Sequence, residues 1–357
     1  MVQANRNEPL VPTFTVALSV DDKKVATDVM PWIVSASVTD HVRDPAEFSL
    51  ELISREDESG TTSWTDDERF VLGAPVAVSF GYGSKVEPLI AGEITALAPA
   101  FSVGGAPTLS VQGQDLRHRL NTVQRVKPAF AARKYSEIAE KICKDQHISM
   151  VFEDSGAIVS SVQQACESDL EFLLYCADQI HYELVMQGRT LLFREVSANK
   201  PSVATLTLDD DLLEFNPYLS LLPLTGLVAS SWDVRKKTPM TASAGDNKAV
   251  GMGGTQSAAQ QTRHVFGESV EMSCGVSVGS QMELDRVAQA LWDAAALDLV
   301  TGGGRCRGRT DVRAGSVIRI AGVGKRFSGD YYLESVVHSY TRDDGYATSF
   351  QVRRNAS

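Results

Sequence analysis

The chain has 357 residues, 43% of them hydrophobic and 22% charged, with a net charge of −11. That length accommodates two or three domains with separate cores, and no apolar run approaches the roughly 20 residues that span a bilayer. An acidic chain repels phosphate, which argues against specific nucleic-acid binding.

The charge is uneven: residues 1–122 hold 9 basic and 17 acidic residues, a net of −8, while 201–357 holds 16 and 17. Most visible are Glu56-Asp57-Glu58 and Asp66-Asp67-Glu68, which read as solvated acidic loops. The N-terminus, MVQANRNEPLVPTF, lacks a basic region followed by an apolar stretch, so no secretory signal is expected. Five cysteines without C-x-x-C spacing fit reduced, cytoplasmic synthesis.

Phe14, Val16, Leu18 and Val20 alternate with polar or small residues, the period-two pattern of a half-buried strand. Phe48/Leu50/Leu52 and Val76/Val78/Phe80 repeat it, and Ile90–Ile94 and Leu109–Val111 add two more. Turn signals at Gly81, Gly83, Gly104-Gly105 and Pro107 separate these runs, as in an antiparallel barrel or sandwich. From about 123 to 200 the pattern becomes mixed α and β. Ser136–Ile142 reads as a helix. A second helix opens with a capping box, Ser168 to Glu171, and carries Leu170, Leu173, Ala177 and Ile180 on one face. A hairpin follows, Tyr182–Met186, Gln187-Gly188 and Leu191–Phe193.

Strand patterning returns at Leu206–Leu208 and Leu227–Ala229. Residues 236–262, KKTPMTASAGDNKAVGMGGTQSAAQQT, hold almost no large apolar group and are expected to form a flexible loop. Val270 to Val278 alternate as one strand. Ser280 and Glu283 make a second capping-box pattern before a helix through Ala295, with Gly302-Gly303-Gly304 expected to end it. Strands at 316–320, 331–337 and 347–352 complete the chain.

Three stretches, in order, carry a family resemblance. They are Gly81-Tyr82-Gly83 through Gly113-Gln114-Asp115-Leu116, the segment QQACESDLEFLLYCADQIHYELVMQGRTLLFRE at 163–195, and Gly329-x-Tyr331 … His338 … Gly345-x-x-Thr348-x-Phe350. Together they resemble the hub proteins of contractile phage tails (the late control protein D family) and the related N-terminal hub part of type VI secretion spike proteins. The resemblance implies a mainly β fold with an α+β insert. A first tube-type antiparallel barrel would span 1–122, an α+β middle domain 123–200, and a second tube-type barrel 201–357, including the loop 236–262.

It further implies a structural baseplate hub: a homotrimeric ring whose six barrels adapt a six-fold tail tube to a three-fold spike. The tail tube or its initiator would lie above, a separate spike protein below, and other baseplate proteins around it. A separate spike is implied because the sequence stops soon after the second barrel. The protein would be made in the cytoplasm and become part of the assembled particle. Two other classes of function are a peptidoglycan-degrading tail enzyme and a carbohydrate-binding β module.

Candidate chemistry is sparse. Gly275-Val276-Ser277-Val278-Gly279 fits a nucleophile-elbow pattern, with Asp330 and His338 later in triad order, but the helix cap falls at Ser280 rather than at the serine. The six histidines are scattered, so neither a metal nor a cofactor is expected. Arg305, Arg307 and Arg309 alternate, which places them on one face of a strand. With Arg313 they form a candidate subunit or partner interface, matched by the acidic N-terminal domain of an adjacent subunit.

Overall fold

A computed structural model describes residues 12–17, 27–54, 64–121, 123–156, 158–196, 200–221, 224–245, 252, 254, 256–273 and 275–357. Six antiparallel strands form the first barrel: β1 (Pro12–Ala17), β2 (Ile33–His41), β3 (Glu47–Ile53), β4 (Pro75–Tyr82), β5 (Lys85–Ala100) and β6 (Thr108–Asp115). Their spatial order is β1-β4-β5-β6-β3-β2. The period-two pattern puts Phe48, Leu50, Leu52, Val76, Val78 and Phe80 into one core, joined by Phe14, Trp64 and Phe70. Glu56-Asp57-Glu58 lies outside the described residues. Of the second acidic run, Asp67 is paired to Arg69.

The middle segment holds β7 (Gln124–Val126), β8 (Phe130–Arg133), α1 (Tyr135–Asp145), β9 (Ser149–Phe152), β10 (Val159–Val162), β11 (Ala165–Ser168), α2 (Asp169–Asp178), β12 (Tyr182–Gln187) and β13 (Thr190–Glu195). The capping box forms as its sequence predicts: Glu171 N donates to Ser168 Oγ at 3.1 Å, and Ser168 N donates to the Glu171 carboxylate at 2.7 Å. Leu170, Leu173 and Ala177 pack with Ile138 and Ile142 of α1 over a small sheet, β12-β13-β9. Cys143 and Cys176 fill this core, and burial pushes the Cys143 thiol up to about 12, so it behaves as an apolar group.

The rest of the chain forms β14 (Ala204–Thr207), β15 (Leu212–Leu219), β16 (Gly226–Asp233), β17 (Thr238–Ala244), α3 (Ala258–Phe266), β18 (Val270–Ser273), α4 (Gln281–Ala296), β19 (Val300–Arg307), β20 (Val317–Ala321), β21 (Gly329–Thr341) and β22 (Gly345–Arg354). Three expectations change here. First, the 236–262 segment expected to be a loop contains β17 and the start of α3. Their small apolar residues, Met240, Ala242, Ala244 and Ala259, suffice because they lie beneath Trp292 and Leu284 of α4. Residues 246–251, 253 and 255 lie outside the described set. Second, the strand expected to reach Val278 stops at Ser273. Third, α4 ends at Ala296, and Gly302-Gly303-Gly304 lie inside β19. These glycines are needed for close approach: a Cβ on Gly302 would sit 2.7 Å from the Asn216 carbonyl, and one on Gly304 would sit 2.6 Å from the Phe350 ring.

The two barrels are copies of one design. The order β4-β5-β6-β3-β2 is matched by β20-β21-β22-β19-β15, each pairing antiparallel. Register shifts coincide as well. β2 is irregular at Ile33/Ser35 against β3, and β15 at Leu212/Glu214 against β19. β5 is irregular at Ile94/Ala96 against β6, and β21 at Leu333/Ser335 against β22. Aligned on these bulges, Phe48 corresponds to Gly302 and Gly113 to Val352. Phe48 indeed pairs with Gly113, and Gly302 with Val352. The large and small partners have exchanged strands while keeping the pair filled. Both barrels belong to one twelve-stranded sheet, because β2 pairs with β21 from Ser35↔Thr341 to His41↔Ser335.

Candidate functional site

One face of the shared sheet packs on the two cores, and the other is open. Residues paired directly across strands share a face. One such row runs through seven strands: Gln114, Glu47, Thr39, Val337, Ser349, Arg305 and Glu214. A second runs Gln112, Ser49, Ser37, Ser339, Ala347 and Arg307. Ser, Thr and Gln dominate, so this surface is hydrated, with hydrogen-bonding groups and few large apolar ones. Period-two alternation produces it, since most row residues alternate with core residues along their strands.

The four candidate arginines separate into two pairs. Arg305 and Arg307 are exposed on the open face and make no ion pair among the described residues. Arg309 and Arg313 are engaged within the chain. Arg309 bridges Asp211 at 3.0 Å and Asp311 at 2.8 Å. Arg313 donates to Asp40 on β2 at 2.9 Å and to the Leu89 carbonyl at 2.7 Å, tying the second barrel to the first in the same chain. Arg313 thus reaches an acidic residue of the N-terminal barrel, but an intramolecular one.

Two buried polar clusters that sequence reasoning missed fix the middle unit. Arg117 and Asp115 are 0% and 1% exposed and pair at 2.8 Å. Arg117 also donates to the carbonyls of His41 at 3.1 Å and Leu184 at 2.8 Å, while Asp115 accepts from Ala46 N at 2.8 Å. The first barrel and β12 are thereby locked together. On the other side, Glu183 accepts from Arg194 at 2.7 Å and from the Tyr332 hydroxyl, and Arg194 reaches the Gly315 carbonyl at 2.9 Å. Burial, then the neighbouring Glu183 carboxylate, holds the Tyr332 hydroxyl well above the ordinary phenol range, so it serves as a donor. Gly113-Gln114-Asp115-Leu116 was visible as a family mark. Nothing local announced that its aspartate would meet Arg117 and β12.

A cleft of about 470 Å³ opens where the units converge, lined in part by Val42, Leu174, Leu184, Leu291 and Tyr332. Its rim carries two ion pairs, Arg43–Asp178 at 2.8 Å and Arg353–Glu334 at 2.8 Å. His181 beside it is held down at about 4 by burial. No serine, threonine or cysteine is among its described lining residues.

The serine motif does not assemble into a triad. Ser277 is exposed in coil after β18, and α4 is capped by Ser280. His338 is fully buried, with Nδ1 2.8 Å from the Tyr346 hydroxyl and 3.3 Å from Thr348 Oγ1; burial, reinforced by Arg313, depresses it to about 3. Asp330 is taken up by Arg319 at 2.7 and 2.9 Å. Among the described residues no group of three or more His, Cys, Asp and Glu could hold a metal ion, and no helix is long and apolar enough to cross a membrane.

The sequence model described as the Alg8 N-terminal domain matches residues 11–342. The chain belongs to that family. No curated protein matches it. Among solved structures it is similar to the 43 kDa tail protein of prophage MuSo2 from Shewanella oneidensis, with a TM-score of 0.70 at 15% identity over 96% of this chain and 98% of that one. A tail protein from Neisseria meningitidis MC58 matches with a TM-score of 0.70 at 12% identity, over 96% of each chain. The Escherichia coli c3393 protein matches with a TM-score of 0.57 at 12% identity, over 91% of this chain and 74% of that one. That protein is described as a component of the type VI secretion system with structural similarity to the T4 tail proteins gp27 and gp5. The sequence resemblance to tail hub proteins therefore holds in the fold: mainly β, with duplicated barrels and α+β units attached.

Proposed function

We propose that this protein is a structural component of a contractile tail or injection system: a baseplate hub of the late control protein D type, acting as a homotrimeric ring. The observation that carries the reading is the duplicated barrel. Two copies of one barrel, joined edge to edge in one sheet, let three chains present six similar units, which suits a six-fold tube on one side and a three-fold spike on the other. The open polar face supports the same reading, because a Ser/Thr/Gln surface is suited to lining a channel through which cargo passes without adhering. The reading applies alike to a phage, a bacteriocin or an extracellular injection system.

The domain limits 1–122, 123–200 and 201–357 belong to this proposal, with the small α+β units decorating the ring and meeting baseplate partners. Arg305 and Arg307, exposed on the open face, are the arginines proposed for contact with an adjacent subunit. Partners are a separate spike protein, the tail tube or its initiator, and other baseplate proteins. The role is mechanical rather than catalytic.

Native mass spectrometry of the full chain, alone and with a separately expressed tail spike protein, tests this. A species of three times the 38.6 kDa chain mass that captures the spike is expected. A chain that stays monomeric at high concentration with and without the spike overturns the reading.

A further inference from the structure

The joint between the two barrels of one chain is a template for a joint between chains. Within the chain, β2 pairs with the C-terminal part of β21, in the stretch beyond the residues that β20 covers. In the duplicated design the corresponding strands are β15 and β5. β15 ends the strand order, and among the described residues its only pairing besides β19 is the single Leu208–Leu212 bridge at its start. β5 pairs with β4 only as far as Glu93, yet stays paired with β6 to Ala100. Among the described residues its later edge is therefore open at the place where β21 receives β2.

We propose that β15 of one copy pairs antiparallel with residues 96–101 of a second copy, a contact that rests on the ring reading and gives it an address. Carrying the β2–β21 register across the matched bulges sets Ser220 opposite Ala96, Leu219 opposite Leu97, Tyr218 opposite Ala98, Pro217 opposite Pro99, Asn216 opposite Ala100 and Phe215 opposite Phe101.

The faces agree. Ala98 and Ala100 share the side of Ser110 and Thr108, and Asn216 and Tyr218 share the side of Gly303 and Thr301, so the open face continues across the joint. On the opposite side apolar groups meet: Leu219 with Leu97, and Phe215 with Phe101. Phe101 is 63% exposed and Tyr218 67% exposed in the single chain, as residues awaiting cover would be. Charge is complementary too. Arg305 lies one strand in from β15, and the incoming barrel belongs to the segment of net −8.

Pro99 and Pro217 fall opposite each other. Within the chain, Val42 N donates to Glu334 O, which places the bonded pairs of the template joint at Asp40–Val336, Val38–His338 and Ala36–Tyr340. The prolines occupy the middle one, where neither offers an N–H. The joint then hydrogen-bonds through the Leu97–Leu219 and Phe101–Phe215 pairs, and a lone edge is protected from indiscriminate strand addition. A head-to-tail contact of this kind repeats around a ring when its rotation closes.

The test uses the full chain with exposed Cys166 changed to serine and the pair Tyr218→Cys and Ala98→Cys added. These positions form a non-hydrogen-bonded pair, whose Cα spacing of about 4.5 Å suits a disulfide. Oxidation is expected to give covalent species up to the trimer on a non-reducing denaturing gel, with neither single variant doing so. Phe101→Asp, on an exposed hairpin tip, should leave the circular dichroism unchanged and weaken trimer association about tenfold or more. A native trimer that neither cross-links at this pair nor responds to Phe101→Asp refutes the joint and leaves the ring reading standing. A monomer under all conditions removes both.

Discussion

Arg117→Met is the substitution that most directly probes how the barrel and the middle unit are held together. Methionine fills much of the same volume but removes a guanidinium that pairs with Asp115 at 2.8 Å and donates to the carbonyls of His41 and Leu184. Asp115, 1% exposed, is left as a buried carboxylate that, among the described residues, keeps the backbone N–H groups of Ala46 and residue 117. Breaking a fully buried pair from one side costs about 3–5 kcal/mol. At about 2–4 °C per kcal/mol for domains of roughly 150–250 residues, the Tm falls by about 10 °C. Differential scanning calorimetry at neutral pH measures this. Adding Asp115→Asn removes the orphaned charge while keeping an acceptor for the backbone, so the double variant should regain part of the loss. A Tm within about 2 °C of the parent for Arg117→Met, or a double variant less stable than the single one, would show that this pair does not hold the two units together.

His338 gives a pH dependence of fixed sign. Its folded value of about 3 lies below the ordinary 6.5, so below pH 6.5 the unfolded chain takes up a proton that the folded chain excludes. Stability is full above pH 6.5 and falls toward pH 3, by about 1.4 kcal/mol per pH unit from this residue; His338→Gln should flatten that slope in urea titrations at stepped pH. Ser168→Ala removes the cap acceptor for Glu171 N and should cost about 1 kcal/mol, measurable as a shift in denaturation midpoint at unchanged slope. Gly304→Ala places a methyl 2.6 Å from the Phe350 ring and should destabilise by about 1–3 kcal/mol, and a neutral result would mean that ring can move aside. Arg305→Ala, on the open face, should leave monomer stability within about 0.5 kcal/mol, so any larger effect on assembly reads as an interface effect.

The period-two runs in both barrels, the Ser168–Glu171 box and the buried face of α2 were legible in the sequence because each depends on neighbours a few residues away. The glycines of β19 and the small residues of β17 were misread for the opposite reason. A triple glycine after a helix and a stretch poor in large side chains look like a stop and a loop unless the covering group is known. Here the covers are Phe350, 46 positions after Gly304 in the chain, and Trp292 on α4. The four candidate arginines followed the same logic. Alternation placed Arg305 and Arg307 on one face, but only the fold set Arg313 against Asp40, 273 residues away. The sequence by itself determined most strands of the first barrel and the helices α1, α2 and α4, since alternation and capping are short-range properties. The tertiary structure decided that the two barrels are one design repeated, because that correspondence lies in bulge positions and pairing partners, with the large and small residues of the Phe48–Gly113 and Gly302–Val352 pairs exchanged across strands.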